Sequence, residues 1–329
     1  MTVVTEIHDP LDLRVAPYRD SRDADLRGRH GLFLVESEVC LRRWLEGVAQ
    51  RHAGARLTPA LGVASLLLSH QVFERLRPAI EAAGVREAFV AEESLVEGIS
   101  GFDHHHGALG LGLRPAATTE ALAAFMVTID AGDARTETSS PAAAVVITDG
   151  VVHVDNMGSI FRNAAALGAA GVLLSSRCAD PLMRKTIRIS MGHVFAVPWA
   201  VAPDLPSALR SLRARAWRVL VAENTAQAID IDRLDDRDDR DEQDDRNGGA
   251  DRLDLSNGDD QARTRRARPR TAIVFGAEGH GVCPAVMAEA EAVVRIPSRD
   301  GIPLNVAVAS AIVLHELGRA ERQRAARGR

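Results

Sequence analysis

Apolar positions along this chain fall into short runs that switch between a period near two and a period near three and a half. Residues 32–35, Leu-Phe-Leu-Val, read as a strand, and Val39, Leu41, Trp44, Leu45 and Val48 then mark one face of a helix. Residues 61–68 form a nearly continuous apolar run, the mark of a strand buried on both faces. Ser69 follows it as a side chain able to cap a helix carrying Val72, Leu76 and Ile80. Residues 88–91 add a further short strand. The pattern predicts a small α/β domain over residues 31–115, with residues 1–30 as an N-terminal extension.

Residues 116–141 are rich in Ala, Thr, Ser and Gly and read as a linker holding at most one helix or strand. A second α/β unit is expected over residues 142–329. Its predicted order is strand 144–148, helix 159–167, strand 171–175, helix 181–190, helix 205–215 and strand 218–222. Strand 272–275, a helix around 285–290, strand 293–296 and helix 305–317 complete it. Strands alternating with helices imply a parallel sheet covered on both sides. The interruption, residues 232–270, holds thirteen acidic and ten basic residues and almost nothing apolar. Such a segment cannot bury enough surface to offset its ordering entropy, so a disordered, solvated insertion is expected. The arginines near its end (Arg263, Arg265, Arg266, Arg268, Arg270) are candidates for phosphate contact only as a secondary reading.

Length and composition narrow the function less than the pattern does. With 329 residues and 46% hydrophobic content, two ordinary cores can be filled. The formal net charge is −5, and the insertion carries more than half of it, so bulk charge neither supports nor excludes a nucleic-acid partner. Lys185 is the only lysine, which leaves the positive charge almost entirely to arginine. Cys40, Cys178 and Cys283 are too few and too scattered for a disulfide framework or a zinc site, and a reduced, cytoplasmic setting is expected. The N-terminus lacks the basic start and apolar core of a signal peptide, and no apolar run approaches membrane-spanning length. No metal site is expected either. His104, His105 and His106 are consecutive and cannot readily converge on one ion, so they read as a loop at the domain junction.

Three stretches carry candidate chemistry. Gly276, Gly279 and Gly281 directly follow a predicted strand, where backbone amides can approach a ligand, although for a glycine trio alone a plain turn is the leading explanation. The spacing is not a dinucleotide fingerprint, which argues against a nicotinamide enzyme. Glu278 lies between these glycines. Asn305 stands at the start of an apolar helix, where a helix cap is its simplest role. Asn156 reads as a cap or turn residue and Arg162 as a surface arginine on a helix that opens after Gly158, with Met157 and Phe161 as packing residues.

Taken together these stretches give N-x-G-x-x-x-R at 156–162, G-x-E-x-x-G at 276–281, and Ile296-Pro297 followed by Leu304-Asn305-Val306-Ala307-Val308-Ala309. Their order and separation resemble the SpoU (TrmH) family of RNA ribose 2'-O-methyltransferases, of the knotted SPOUT class. The resemblance covers residues 145–329 apart from the insertion, and residues 31–115 look, more weakly, like the family's small α/β RNA-binding domain. It implies a C-terminal parallel-sheet domain with a deep trefoil knot, no DNA or membrane partner, and a homodimer whose active site joins the first motif of one subunit to the cofactor pocket of the other. S-adenosyl-L-methionine would be the cofactor, lined by Gly276, Gly281, Ile296 and Leu304, with Asn156, Arg162, Glu278 and Asn305 as the polar, catalytic set. RNA would be the substrate, ribosomal RNA ahead of transfer RNA. Family accounts often make the arginine a base; a guanidinium with a pKa above about 12 is hard to deprotonate, and a bidentate grip on the adjacent phosphate is the alternative. One departure stands out. Pro303 occupies the position before Leu-Asn-Val where the family usually has Ser, and the preceding run is one residue shorter; Ser298 is the hydroxyl nearby. A catalytically weakened RNA-binding or ribosome-assembly factor on the same fold is therefore the competing expectation.

Overall fold

A computed structural model describes residues 2–19, 22–55, 58–100, 107–115, 118–131, 144–234 and 270–327. The apolar runs of the N-terminal part become strands β1 (Val3–Glu6), β2 (Leu32–Glu36), β3 (Gly62–Ser69), β4 (Glu87–Ala91) and β5 (Ala108–Leu113), in the order β1-β4-β3-β5-β2. Helices α1 (Glu38–His52), α2 (His70–Ala82) and α3 (Glu93–Ser100) connect them. Ser69 caps α2 by accepting a hydrogen bond from the Val72 amide at 3.4 Å. The predicted face of α1 is shifted: Val39 is 49% exposed and Cys40 is buried instead, because the helix starts at Glu38 under a Ser37 cap. Strands β1 and β5 escaped the pattern reading. In β1, an edge strand, both valines are exposed, and in β5 the alternating partners of the leucines are Gly110 and Gly112.

The C-terminal part begins with helix α4 (Thr119–Ala131), whose Phe125, Met126 and Ile129 pack into the second sheet's core rather than spanning a gap. There follow β6 (Ala144–Asp149), α5 (Val154–Ala166), β7 (Gly171–Ser175), α6 (Arg184–Ile189), β8 (Trp199–Ala202), α7 (Leu205–Ala214) and β9 (Trp217–Ala222). Next come β10 (Ile229–Asp230), β11 (Arg270–Gly276), α8 (Pro284–Met287), β12 (Ala292–Arg295) and α9 (Val306–Arg327). All pairings are parallel, in the order β10-β12-β9-β11-β6-β7-β8. The centre, β11, is buried on both faces and flanked by β9 and β6. The strand that follows it in sequence, β12, does not pair with it but lies beyond β9. Helix α9 runs on to Arg327, well past the predicted end at residue 317. No helix among the described residues is long and apolar enough to cross a membrane.

Both flanks of the expected insertion take part in the fold. Leu234 is buried, and Arg270 opens β11 with its guanidinium 4.7 Å above the Trp217 ring and 3.0 Å from Asp130. Arg270 is therefore held by protein groups. Arg263, Arg265, Arg266 and Arg268, like His104, His105 and His106, lie outside the described residues.

One hydrophobic cluster joins the two sheets. Phe33 and Trp44 pack on Phe195 from the loop before β8, with ring centroids 6.0 and 5.8 Å away. Beside it the buried Glu36 carboxylate pairs with Arg184 at 3.2 Å and Arg188 at 3.3 Å. Trp44 is 1% exposed. Trp44→Ala is therefore expected to cost about 3–5 kcal/mol, from lost burial plus the cavity left behind. Denaturant unfolding checks this, and a loss under about 1 kcal/mol would show that the seam does not hold the units together.

Candidate active site

In an open parallel sheet, functional groups gather where strands end at their carboxyl edge. Here β11 ends at Gly276, and the chain turns back on itself at once. Ala277 and Gly281 exchange backbone hydrogen bonds of 3.2 and 3.0 Å, which puts Glu278 at the tip of the turn. The strands on either side lock it. Glu223, just after β9, accepts the Val282 amide at 3.2 Å; Asp149, the last residue of β6, accepts the Cys283 amide at 3.0 Å and pairs with Arg177 at 2.7 Å. Close packing explains the first glycine. A β-carbon on Gly276 would lie 2.5 Å from the Val282 nitrogen and 2.7 Å from the Gly281 oxygen, both backbone atoms that cannot swing aside. Asp149 and Glu223 were not singled out from sequence, although each is the first acidic residue after a buried apolar strand.

Three side chains far apart in sequence meet at the tip. Glu278 Oε1 accepts from Asn156 Nδ2 at 2.6 Å and from Asn305 Nδ2 at 3.0 Å, and Asn305 Nδ2 also donates to Asn156 Oδ1 at 2.9 Å. His153 Nε2 stands 3.7 Å from the other Glu278 oxygen. The opposite end of Asn305 performs the expected cap: its Oδ1 accepts the Ala307 amide at 2.9 Å and the Val308 amide at 3.4 Å. One asparagine thus starts α9 and joins the polar network. Asn163, two turns beyond Asn156 on α5, fixes the same junction by donating to the Ala307 carbonyl at 2.7 Å and to Ser310 at 3.0 Å.

Asn156 does not cap its helix. Helix α5 opens at Val154, with His153 in the cap position, so Asn156 lies in the first turn and is 8% exposed. Gly158 suggested a helix start from sequence but sits inside the helix, where a β-carbon would be 2.8 Å from Ile189 Cβ and 3.0 Å from the Thr186 carbonyl. Met157 and Phe161 are buried, as their packing role requires. Arg162 is not with the other three. It is exposed, on a different face of α5, and among the described residues it has no hydrogen bond or ion pair.

Along the last loop, Ile296 is half-buried and Leu304 is 42% exposed. Asn224 Nδ2 donates to the Gly301 carbonyl at 2.7 Å, tying this loop to the end of β9 next to Glu223. Gly276 and Gly281, at the root of the turn, are half-buried. Ser298 has no hydrogen bond to Asn305 or Glu278, and Asn305 is oriented without a serine hydroxyl. A cavity of about 210 Å³ lies elsewhere, between the ends of β7 and β8 and the first unit, walled by Trp199, Leu182, Pro59 and Arg114. None of the glycine-turn residues lines it. Chemically, the network holds amides and one carboxylate with their donors and acceptors matched. It contains no activated nucleophile, and suits alignment of a bound group rather than covalent catalysis.

A parallel sheet with a glycine turn and an Asn/Glu/Asn network at its carboxyl edge defines an α/β domain of one recognisable kind. Residues 143–315 match the model of the SpoU rRNA methylase family, and the chain belongs to that family. A Mycobacterium bovis protein named as an uncharacterized tRNA/rRNA methyltransferase is 30% identical over 316 residues, spanning 95% of this chain and 91% of the relative. Among solved structures, the AdoMet-bound rRNA methyltransferase from Sinorhizobium meliloti superposes with a TM-score of 0.65 at 21% identity, covering 96% of this chain and 98% of the other. The SpoU methyltransferase AviRb from Streptomyces viridochromogenes, in complex with AdoMet, gives 0.62 at 19% identity over 94% and 97%. At these identities the structural likeness establishes an α/β fold with a parallel-sheet domain.

Proposed function

We propose that this protein transfers a methyl group from S-adenosylmethionine to a ribose 2'-hydroxyl of RNA, with ribosomal RNA favoured over transfer RNA, as a cytoplasmic homodimer. The observation that carries the reading is the meeting of Asn156, Glu278 and Asn305, one residue from each of three motifs, at the tip of the Gly276–Gly281 turn. Membership of the SpoU rRNA methylase family supports it, as do relatives named tRNA/rRNA methyltransferase and neighbours solved with AdoMet. The residues present fit the cofactor. Backbone of Gly276, Gly281 and Val282 packs closely at this turn, with the Glu223 carboxylate against Gly281, and Ile296 and Leu304 offer apolar surface from the neighbouring loop. Gly276, Gly281, Ile296 and Leu304 would hold it. Bound there, S-adenosylmethionine supplies a methyl carbon made electrophilic by its sulfonium.

The remaining work belongs to the chain. The network at Glu278 fixes the turn and the start of α9 relative to one another, and such alignment of donor and acceptor can contribute several kcal/mol of barrier lowering. Arg162 would grip the phosphate next to the reacting ribose through paired guanidinium bonds, and the 2'-hydroxyl proton would leave to that phosphate or to water. Because Arg162 faces away from the network of its own chain, a second subunit supplying Arg162 completes the site. A deep trefoil knot in the C-terminal sheet is part of this reading; the placement of β12 beyond β9, with its following loop tied back to the end of β9, is in keeping with it. Pro303 leaves the network intact, since Asn305 is oriented by Glu278, Asn156 and its own helix.

The test is incubation with methyl-labelled cofactor and unmodified in vitro transcribed ribosomal RNA, then mapping of alkali-resistant linkages. Transfer to a ribose is expected, seen as resistance at one nucleotide. Label on a base would overturn the 2'-O assignment. Cofactor binding without transfer to ribosomal or transfer RNA would favour the binding-factor reading.

A further inference from the structure

The turn between α6 and β8 is one place where the two units touch closely. Met191 and Gly192 have left-handed backbones, with φ of 52° and 76°. They press this turn against α1 so closely that a β-carbon on Gly192 would be 3.0 Å from Cys40 Cα and 3.5 Å from Arg43 Cβ. Arg43 reaches over the turn and donates from Nη1 to the Met191 carbonyl. From the other side, α5 packs on α6 through Gly158 against Ile189, and Arg162 is one helical turn further along, beside the same connection. His193 opens the short helical turn His193–Phe195 between them and is half-buried. Its pKa is lowered, first by burial and then by the Arg43 and Arg162 guanidiniums, so both charges bear on the ring.

Most arginines at the junction have a counter-charge: Arg184 and Arg188 pair with Glu36, Arg27 and Arg114 with Asp180, Arg177 with Asp149, while Arg51 is held by the Pro59 and Leu61 carbonyls. Among the described residues, neither Arg43 nor Arg162 is paired with a carboxylate. Two guanidiniums beside one imidazole, with no carboxylate paired to either among the described residues, make a positive patch open to an anion. We infer that Arg43, Arg162 and His193 form a phosphodiester-binding site, built from both units, that holds the RNA backbone next to the methylated nucleotide. The inference rests on the RNA methyl-transfer reading above. It adds two positioning residues, one of them from the first unit. Guanidinium forks match phosphate oxygens in bidentate geometry, and the imidazole adds a further donor. A carboxylate from a protein partner could pair with one fork. A chain of phosphates is the anion that an RNA-modifying protein meets repeatedly.

The test compares wild type with Arg43→Gln and His193→Gln, both chosen to keep hydrogen-bonding capacity at the packed turn. Affinity for in vitro transcribed ribosomal RNA is measured across a salt series, with melting temperature as the folding control. Arg43→Gln is expected to weaken RNA binding about 10-fold and to reduce the slope of log affinity against log salt by about 0.7–0.9, the loss of one phosphate contact. His193→Gln should weaken binding by a smaller factor. In wild type the His193 ring protons should titrate at higher pH once RNA is bound, because a phosphate reverses the charge that now surrounds the ring. A folded Arg43→Gln variant with wild-type affinity and slope overturns the inference. Because binding is measured apart from turnover, wild type that binds RNA with this arginine-dependent slope but methylates none would sink the activity while leaving the phosphate site standing.

Discussion

Arg162→Ala is expected to lower methyl transfer to RNA by about 10³-fold or more, with cofactor affinity and melting temperature close to wild type. The split follows from where the residue lies. It is exposed and without a protein partner among the described residues, so its removal leaves no buried group unsatisfied and costs little stability. It is also away from the Asn156–Glu278–Asn305 network and from the glycine turn of its own chain, so the pocket for the donor is untouched. Only the reacting ribose and its phosphate lose a contact, and a charge placed where negative charge develops contributes most in the transition state. Arg162→Lys keeps the charge but not the planar fork, and should recover part of the rate without reaching wild type. Single-turnover kinetics with a defined RNA substrate measures this directly. Near-normal turnover of Arg162→Ala would remove this side chain from the chemistry, whether as base or as clamp.

How much of this was legible in the sequence varies by residue, and the reasons are physical. The middle of the parallel sheet was visible because the strands at 144–148, 171–175 and 272–275 are buried on both faces and so read as apolar runs, whereas the edge strands β8 and β10 are too short to stand out and were not predicted. Strand β5 was not visible, since Gly110 and Gly112 break the alternation to make room for Leu41, Trp44 and Phe33. Asn305 was read as a cap and also as a site residue, and its two ends do both. The start of α5 was misplaced by four or more residues because Gly158 looked like an opening; its small size instead serves the contact with Ile189, a tertiary fact that no local pattern carries. Asp149 and Glu223 were overlooked because one acid after a strand is ordinary in sequence, and acquires meaning only when both meet the same turn. Arg162 shows the limit most clearly. Six residues along a helix from Asn156 amount to about a third of a turn off its face, so Arg162 points away from the side that carries Asn156. That geometry is what makes a second subunit necessary to the proposal.

Gly276→Ala should weaken cofactor binding by about 100-fold or more, since opening the turn would break two or three hydrogen bonds of about 1 kcal/mol each. The added carbon would meet the Val282 nitrogen and the Gly281 oxygen at 2.5 and 2.7 Å, and those atoms belong to backbone held by Glu223, Asp149 and the Ala277–Gly281 pair. Relief requires the turn to open, breaking bonds worth about 1 kcal/mol each and moving Gly281 away from its present position. Calorimetry with S-adenosylmethionine reads the affinity, and a melting curve shows whether β11 remains folded. Wild-type affinity in a folded variant would mean that the donor does not bind at this turn. The variant also tests the subunit arrangement. Arg162→Ala and Gly276→Ala chains are each expected to be inactive alone. Mixed after unfolding and reassembly, half of the dimers would pair one of each, and each such dimer would have one complete site, so activity should return to about a quarter of wild type. A site completed within one chain would give no recovery at all.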